Sequence, residues 1–337
     1  MIGRLLVFVC ALTLASAFAK AQPPADYYKG RALDLIVGFP PGGGYDLFAR
    51  PVSRHLGRHI APGASVVIRY MPGAGSMLAS NHVFTVAPKD GSVLAIVSPT
   101  MPLDARLNPA AARFEASKFN WIGRISPGHN VAFVWHTAPV RTVADAMTTE
   151  VTFAGTGVGS NIVIYPTVTN NVLGTKFKMI LGYKGSADAM LAMERGEVQG
   201  HSTSFEIVKT AHGSWIETGK VRFLLQYGAT RHPAMPEVPT VIELARNDDE
   251  RSILSAVMTA VEIGRAVLAP PGIPVDRLDT LRRAFDRMMT DPEFAADLKQ
   301  VSMEILPATG EALGRVVEGI DRMPPDLIAK VKAVYGN

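Results

Sequence analysis

A mostly apolar run over residues 32–39, with Ile36 and Val37 β-branched and Asp34 its one charge, is cut off by Pro40-Pro41-Gly42-Gly43-Gly44. Apolar positions then return at helical spacing over 46–60, with Pro51 near the first turn expected to bend that helix. Residues 65–70 read as a second strand, and Pro72-Gly73-Ala74-Gly75-Ser76 reads as a turn. A helix over 77–87, a turn at Asp90-Gly91 and a third strand over 93–97 follow. Strands alternating with helices in this way predict a parallel sheet with crossover helices.

The pattern then repeats in outline. Residues 119–125 read as a strand leaving the first unit. A strand over 151–154, a glycine-rich turn over 155–160 and a helix over 162–173 open a second unit. A strand over 177–181 and a helix over 186–195, stopped by Gly196, continue it. A strand over 221–226 precedes the proline-rich stretch 233–239. The last third is mostly helical, clearest over 276–290 and 292–301. For a chain of 337 residues this predicts two α/β units rather than one.

Composition narrows the class. With 47% hydrophobic and 19% charged residues, the chain has enough apolar surface to fold without help. The net charge of +4 is small, and no Lys/Arg block concentrates it, which argues against nucleic acid as a partner. Residues 1–21 read as a secretory signal, with Arg4, a short apolar core and Ala19-Lys20-Ala21 as the cleavage pattern. Cleavage after Ala21 is preferred to cleavage after Ala17. It removes Arg4 and Lys20 and no acid, leaving a mature charge of +2. The lone cysteine, Cys10, leaves with that segment, so the exported body is expected to fold without disulfides. The most apolar later stretch, 253–268, is interrupted by Glu262 and Arg265 and does not read as membrane-spanning.

The chemistry sits in the turns. Three glycines between a strand and a helix, Gly42 to Gly44, free backbone N–H groups to face an anion at a helix N-terminus. No Gly-Lys-Ser/Thr follows, so this is not a nucleotide P-loop. Gly155-Thr156-Gly157-Val158-Gly159-Ser160 is its counterpart, and Ser160 breaks the dinucleotide fingerprint. Either turn also suits a tight connection that binds nothing. Asp46 serves equally as a helix cap or a ligand contact. Ser98 and Thr100 follow the third strand, at the sheet edge where open α/β folds bind ligands. Lys184 reads as an exposed surface lysine, and His55 and His59 as a solvated helix face rather than metal ligands. Gly200-His201-Ser202-Thr203-Ser204 lacks the final glycine of a nucleophile elbow, and no catalytic constellation is found.

The ordered set Ile36-Val37-Gly38-Phe39-Pro40-Pro41-Gly42-Gly43-Gly44-Tyr45-Asp46, Pro72-Gly73-Ala74-Gly75 and Ala87-Pro88-Lys89-Asp90-Gly91 resembles the solute-binding proteins of tripartite tricarboxylate transporters, the Bug family. Gly182-Tyr183-Lys184-Gly185, Arg195-Gly196-Glu197-Val198, Pro236 to Thr240 and Leu268 to Pro274 extend that resemblance over nearly the whole exported chain. It implies a periplasmic binding protein-like fold: two α/β lobes joined by crossing strands, with a ligand cleft between them. The expected lobes are 22–122 plus 250–337, and 123–249.

The implied ligand is a small organic carboxylate, held without a cofactor or metal and passed by a monomer to membrane permease subunits. Implied ligand contacts are Phe39, Gly43, Gly44, Tyr45 and Asp46 from one loop, and Thr156, Gly157, Gly159, Ser160 and Asn161 from the other. Ser98, Thr100, Tyr183, Gly185 and Ser202 are further candidates. Tyr45, Asn161 and residues 262–267 depart from the family pattern, which bears on ligand identity. Two alternatives remain: an exported sensor acting with a receptor kinase, or an exported hydrolase using Ser202 or Ser204.

Overall fold

The computed structural model describes residues 24–301 and 303–336, so the signal segment and Cys10 lie outside the described residues. The strands follow the chain as β1 (Ala32–Val37), β2 (Ser65–Tyr70), β3 (Val93–Ile96), β4 (Asn120–Arg124) and β5 (Asn130–Trp135). They continue as β6 (Val151–Ala154), β7 (Phe177–Ile180), β8 (Gly200–Ser204), β9 (Val221–Tyr227), β10 (Ala266–Ala269) and β11 (Ala308–Thr309). One sheet has the order β11-β4-β10-β3-β1-β2, and the other β7-β6-β8-β5-β9.

Neither sheet is purely parallel. β1 is parallel to β2 and β3, and β6 is parallel to β7 and β8, as the alternation predicts. β10 is antiparallel to both β3 and β4, and β5 to both β8 and β9. The reason is the route of the chain. It leaves the first sheet after β4, enters the second as β5, and returns from β9 to β10. Each returning strand enters beside the strand that left, so the two crossings lie next to each other, as in a two-stranded hinge. We propose that the lobes follow the sheets; the boundary expected after residue 122 falls inside β4.

Burial explains what the sequence pattern showed and what it hid. The Gly44–Ile60 helix buries Phe48, Val52 and Leu56 completely and runs through a buried Pro51, which removes one helical hydrogen bond without ending the helix. His55 and His59 do not form the solvated face expected of them. His55 is buried, with Nε2 2.7 Å from Asp297, and His59 Nε2 is 2.7 Å from Asp291. They tie this helix to the Pro292–Gln300 helix. β5 was not predicted, because a fully buried strand has no polar alternation to mark it. β8 was missed for the opposite reason: Gly-His-Ser-Thr-Ser reads as a loop, yet every residue of it is buried.

The Gly310–Asp321 and Pro325–Val334 helices pack on the Asp248–Ile263 helix, and Tyr335 donates its hydroxyl to Asp104 at 2.7 Å. No helix among the described residues is long and apolar enough to cross a membrane.

Candidate functional site

Four helices begin at one cleft between the two lobes. They are Gly44–Ile60, Asn161–Leu173, Ser186–Glu194 and Phe205–Glu217, and their N-cap residues Gly43, Ser160, Gly185 and Ser204 all line it. The first N–H groups of a helix have no partner inside it and carry the positive end of its dipole, so each of these termini favours an anion.

At the two glycine loops local contacts leave those N–H groups available, whereas Phe205 gives its N–H to the His129 carbonyl at 3.0 Å. In the first loop Gly42, at φ +83°, gives its N–H to the Asp46 carboxylate at 2.8 Å. The same carboxylate accepts from Arg50 at 2.9 Å and from the Tyr70 hydroxyl at 2.6 Å. Burial raises the Asp46 pKa, but these three donors outweigh it and hold the carboxyl below its ordinary value. Asp46 and Leu47 turn their N–H groups back to the Gly43 carbonyl, leaving those of Gly44 and Tyr45 without an acceptor among the described residues. The second loop does the same. Val163 and Ile164 bond the Ser160 carbonyl, and the N–H groups of Asn161 and Ile162 have no such acceptor. Thr156 and Ser160 spend hydroxyl contacts on the loop itself, 2.7 Å from each other, with Ser160 Oγ donating to the Gly157 carbonyl at 2.9 Å.

Side chains add charge and unused hydrogen-bonding groups. Arg265 and Lys184 line the cleft, and among the described residues no Asp or Glu does. Lys184 is exposed at the rim, whereas Arg265 is only 4% exposed. The guanidinium lies 5.3 Å from the Tyr45 ring centroid and 5.7 Å from that of Phe48. Phe39 stacks on Tyr45 at 3.9 Å. Burial raises the Tyr45 pKa, with Arg265 opposing, so the phenol remains neutral and able to donate. Tyr45 Oη, Asn130 Nδ2 and Ser204 Oγ are buried without a hydrogen-bond partner among the described residues. Such groups are costly to leave unmade and mark a place for something polar. The cleft volume is ≈ 90 Å³, room for a few waters or a small ligand at about 10–15 Å³ per water.

The lobes touch around this space. A Cβ on Gly75 would lie 1.9 Å from the Gly159 carbonyl oxygen, so the two backbones meet where both residues are glycine. A Cβ on Gly44 would lie 2.5 Å from Ile207 Cδ1, and Thr210 donates its hydroxyl to the Val301 carbonyl.

The family model of the tripartite tricarboxylate transporter family receptor matches residues 49–330. The chain belongs to that receptor family. The match begins just after the first glycine loop, so the likeness there rests on the loop residues alone. Among curated relatives, the protein BugT of Bordetella pertussis is 28% identical over 267 residues, 75% of this chain and 78% of BugT. The solved periplasmic binding protein BugD superposes with a TM-score of 0.70 at 23% identity, covering 91% of this chain and 99% of BugD. An R. palustris protein solved with adipate superposes with a TM-score of 0.69 at 23% identity, covering 90% of this chain and 98% of that protein. The two-lobed fold expected from the sequence is therefore that of the periplasmic binding proteins.

In this receptor chain Phe39, Gly43, Gly44, Tyr45, Thr156, Ser160, Asn161 and Gly185 line the cleft. The other expected contacts lie elsewhere. Asp46 is the anchor of its own loop. Gly157 and Gly159 build the second loop and the lobe contact rather than the cleft wall. Ser98 and Thr100 are buried behind Tyr45, their hydroxyls 2.7 Å apart, with Thr100 donating to Asp104 at 2.8 Å. Tyr183 lines a separate shallow depression with Asp188 and Arg195. Ser202 is buried inside β8, and neither Ser202 Oγ nor Ser204 Oγ bonds an imidazole; His201 Nδ1 instead contacts the Ala154 carbonyl at 2.9 Å.

Asn130, Ser186, Thr203, Ile207 and above all Arg265 were missed as cleft residues. For Arg265 a signal existed. A charge inside an apolar run is expensive to bury and calls for a partner. Residues 262–267 depart from the family pattern in a way that bears on ligand identity, but that departure does not single out Arg265.

Proposed function

We propose that this receptor captures a small organic carboxylate in the cleft between its lobes and presents it, closed, to the membrane permease subunits of a tripartite tricarboxylate-type transporter. The convergence of four helix N-termini on a cleft with no acidic wall carries this reading. A carboxylate there would exchange water for backbone N–H donors, each bond to a charged group contributing about 1.5–3 kcal/mol net. The adipate bound by the R. palustris protein of the same fold supports a carboxylate as the ligand class. The reading places the protein in the periplasm after loss of residues 1–21, as a monomer that needs no cofactor.

Thermal denaturation of the exported chain against a panel of mono-, di- and tricarboxylates, aromatic acids and acidic amino acids tests it. At about 100 times Kd, a true ligand stabilises the fold by about 2.7 kcal/mol and raises Tm accordingly. A panel that leaves Tm unmoved removes the carboxylate reading.

A further inference from the structure

Arg265 begins the return to the first sheet, its backbone N–H on the Ser126 carbonyl and its own carbonyl accepting from Ile125. Both crossings therefore fix its position. The residue is buried, its side chain forms no ion pair among the described residues, and the phenol of Tyr45 is its one polar side-chain neighbour there. The aromatic faces of Tyr45 and Phe48 offset only part of the desolvation of a guanidinium.

Two carboxylates lie close to Tyr45, and neither is the partner; the buried Asp46 is taken by Gly42, Arg50 and Tyr70. Asp104 is more than 4 Å from Arg265, since no ion pair joins them, and its hydrogen bonds come from Thr100 and Tyr335. Burial pushes the Asp104 carboxyl up to about 6, the opposite of what a neighbouring cation would do. The cleft is the open side of Arg265, and there Tyr45 Oη, Asn130 Nδ2 and Ser204 Oγ are also unpartnered.

We propose that Arg265 is the specificity-determining residue of this cleft, receiving a second anionic group of the ligand while the glycine loops hold the first. This rests on the carboxylate reading above and deepens it. Backbone amides recognise any carboxylate. A buried guanidinium with a fork of donors adds a bidentate partner for a second one, and leaves a monoanion facing an uncompensated cation. Charge selection then follows from which ligand relieves Arg265 and which does not.

Titration calorimetry with matched pairs tests this: succinate against butyrate, glutarate against pentanoate, adipate against hexanoate. The wild-type protein is expected to prefer at least one diacid over its monoacid by tenfold or more. Arg265→Met should collapse that preference by weakening the diacid at least tenfold, with the monoacid changed less than threefold. Arg265→Lys, which keeps the charge without the fork, should fall between.

The unliganded Tm of Arg265→Met should stay level or rise, because no ion pair is lost, a buried charge is removed and Met can still pack on Tyr45 and Phe48. A preference unchanged in Arg265→Met, equal weakening of both acids, or a fall of several degrees in unliganded Tm overturns the proposal. Wild-type protein that binds monoacids and diacids alike also overturns it, while leaving the carboxylate reading intact. Wild-type protein that binds neither removes both.

Discussion

Asp46 shows how one residue can satisfy two sequence readings until its partners are seen. An acid at a helix start caps, or it meets a ligand; three donors inside the fold use this one to shape the loop whose amides face the cleft. Asp104 is the contrasting case. Its carboxyl lies between Thr100 and Tyr335, and burial lifts it from 3.8 to about 6. A raised pKa means the folded state binds the proton more tightly. Its stabilising contribution is thus full below pH 4 and lost as pH rises through 6, with a slope of at most about 1.4 kcal/mol per pH unit. Asp104→Asn cannot titrate, so its stability relative to wild type should climb between pH 4 and 6 and level off above 7. His201, held down to about 4 by burial, titrates in the same window in both proteins and cancels from the difference. Urea unfolding of the two proteins at pH 4, 5, 6 and 7 checks this; parallel profiles would refute it.

At the scale of elements, the Gly44–Ile60 helix is held from outside as well as through its apolar face. Asp291 caps the Pro292–Gln300 helix by accepting the Glu293 N–H at 2.9 Å, and it also takes Arg58 and His59 of the first helix. Although burial opposes it, these bonds hold the Asp291 carboxyl below its ordinary value. Asp291→Ala removes cap and tether together and should destabilise the protein by about 1–2 kcal/mol, the usual loss for a capping residue. Asp291→Asn keeps the cap and should lose clearly less, as read by urea midpoints; equal losses would assign the effect to the ion pair alone. The histidines at i and i+4 gave correct spacing but the wrong environment, because their partners come from more than two hundred residues away. β8 was illegible on similar grounds. Its polar residues are buried because the neighbouring strands cover them, and nothing local says so.

At the scale of the whole molecule, two backbones meet at Gly75 and Gly159, and the proposed capture mechanism makes that meeting part of closure. Gly75 is at φ +61°, and a methyl there would collide with the Gly159 carbonyl. Gly75→Ala therefore strains the chain locally, by about 1–2 kcal/mol, and also opposes the closed form. Ligand affinity should fall at least tenfold, because only the closed fraction binds fully. Gly157→Ala is the control, since a methyl there meets nothing within 4 Å, and its affinity should stay within threefold of wild type. Calorimetry with a ligand found in the carboxylate panel separates them; equal affinities would show that the contact does not govern closure.

The sequence by itself determined the local facts: strand, glycine turn and helix in repeated order, the position of Gly43, Gly44, Ser160 and Gly185 at helix starts, and an ordered set of turns pointing to one receptor family. Those follow from backbone sterics and short-range periodicity, which neighbours in the chain fix. Only the tertiary structure decided which turns face one another, that β5 and β10 run against their sheets, and that Arg265 is buried beside Tyr45 with no acid to meet it. Those depend on the two crossings of the chain between lobes. A charge buried by residues far away in sequence looks, in the sequence, like any other charge.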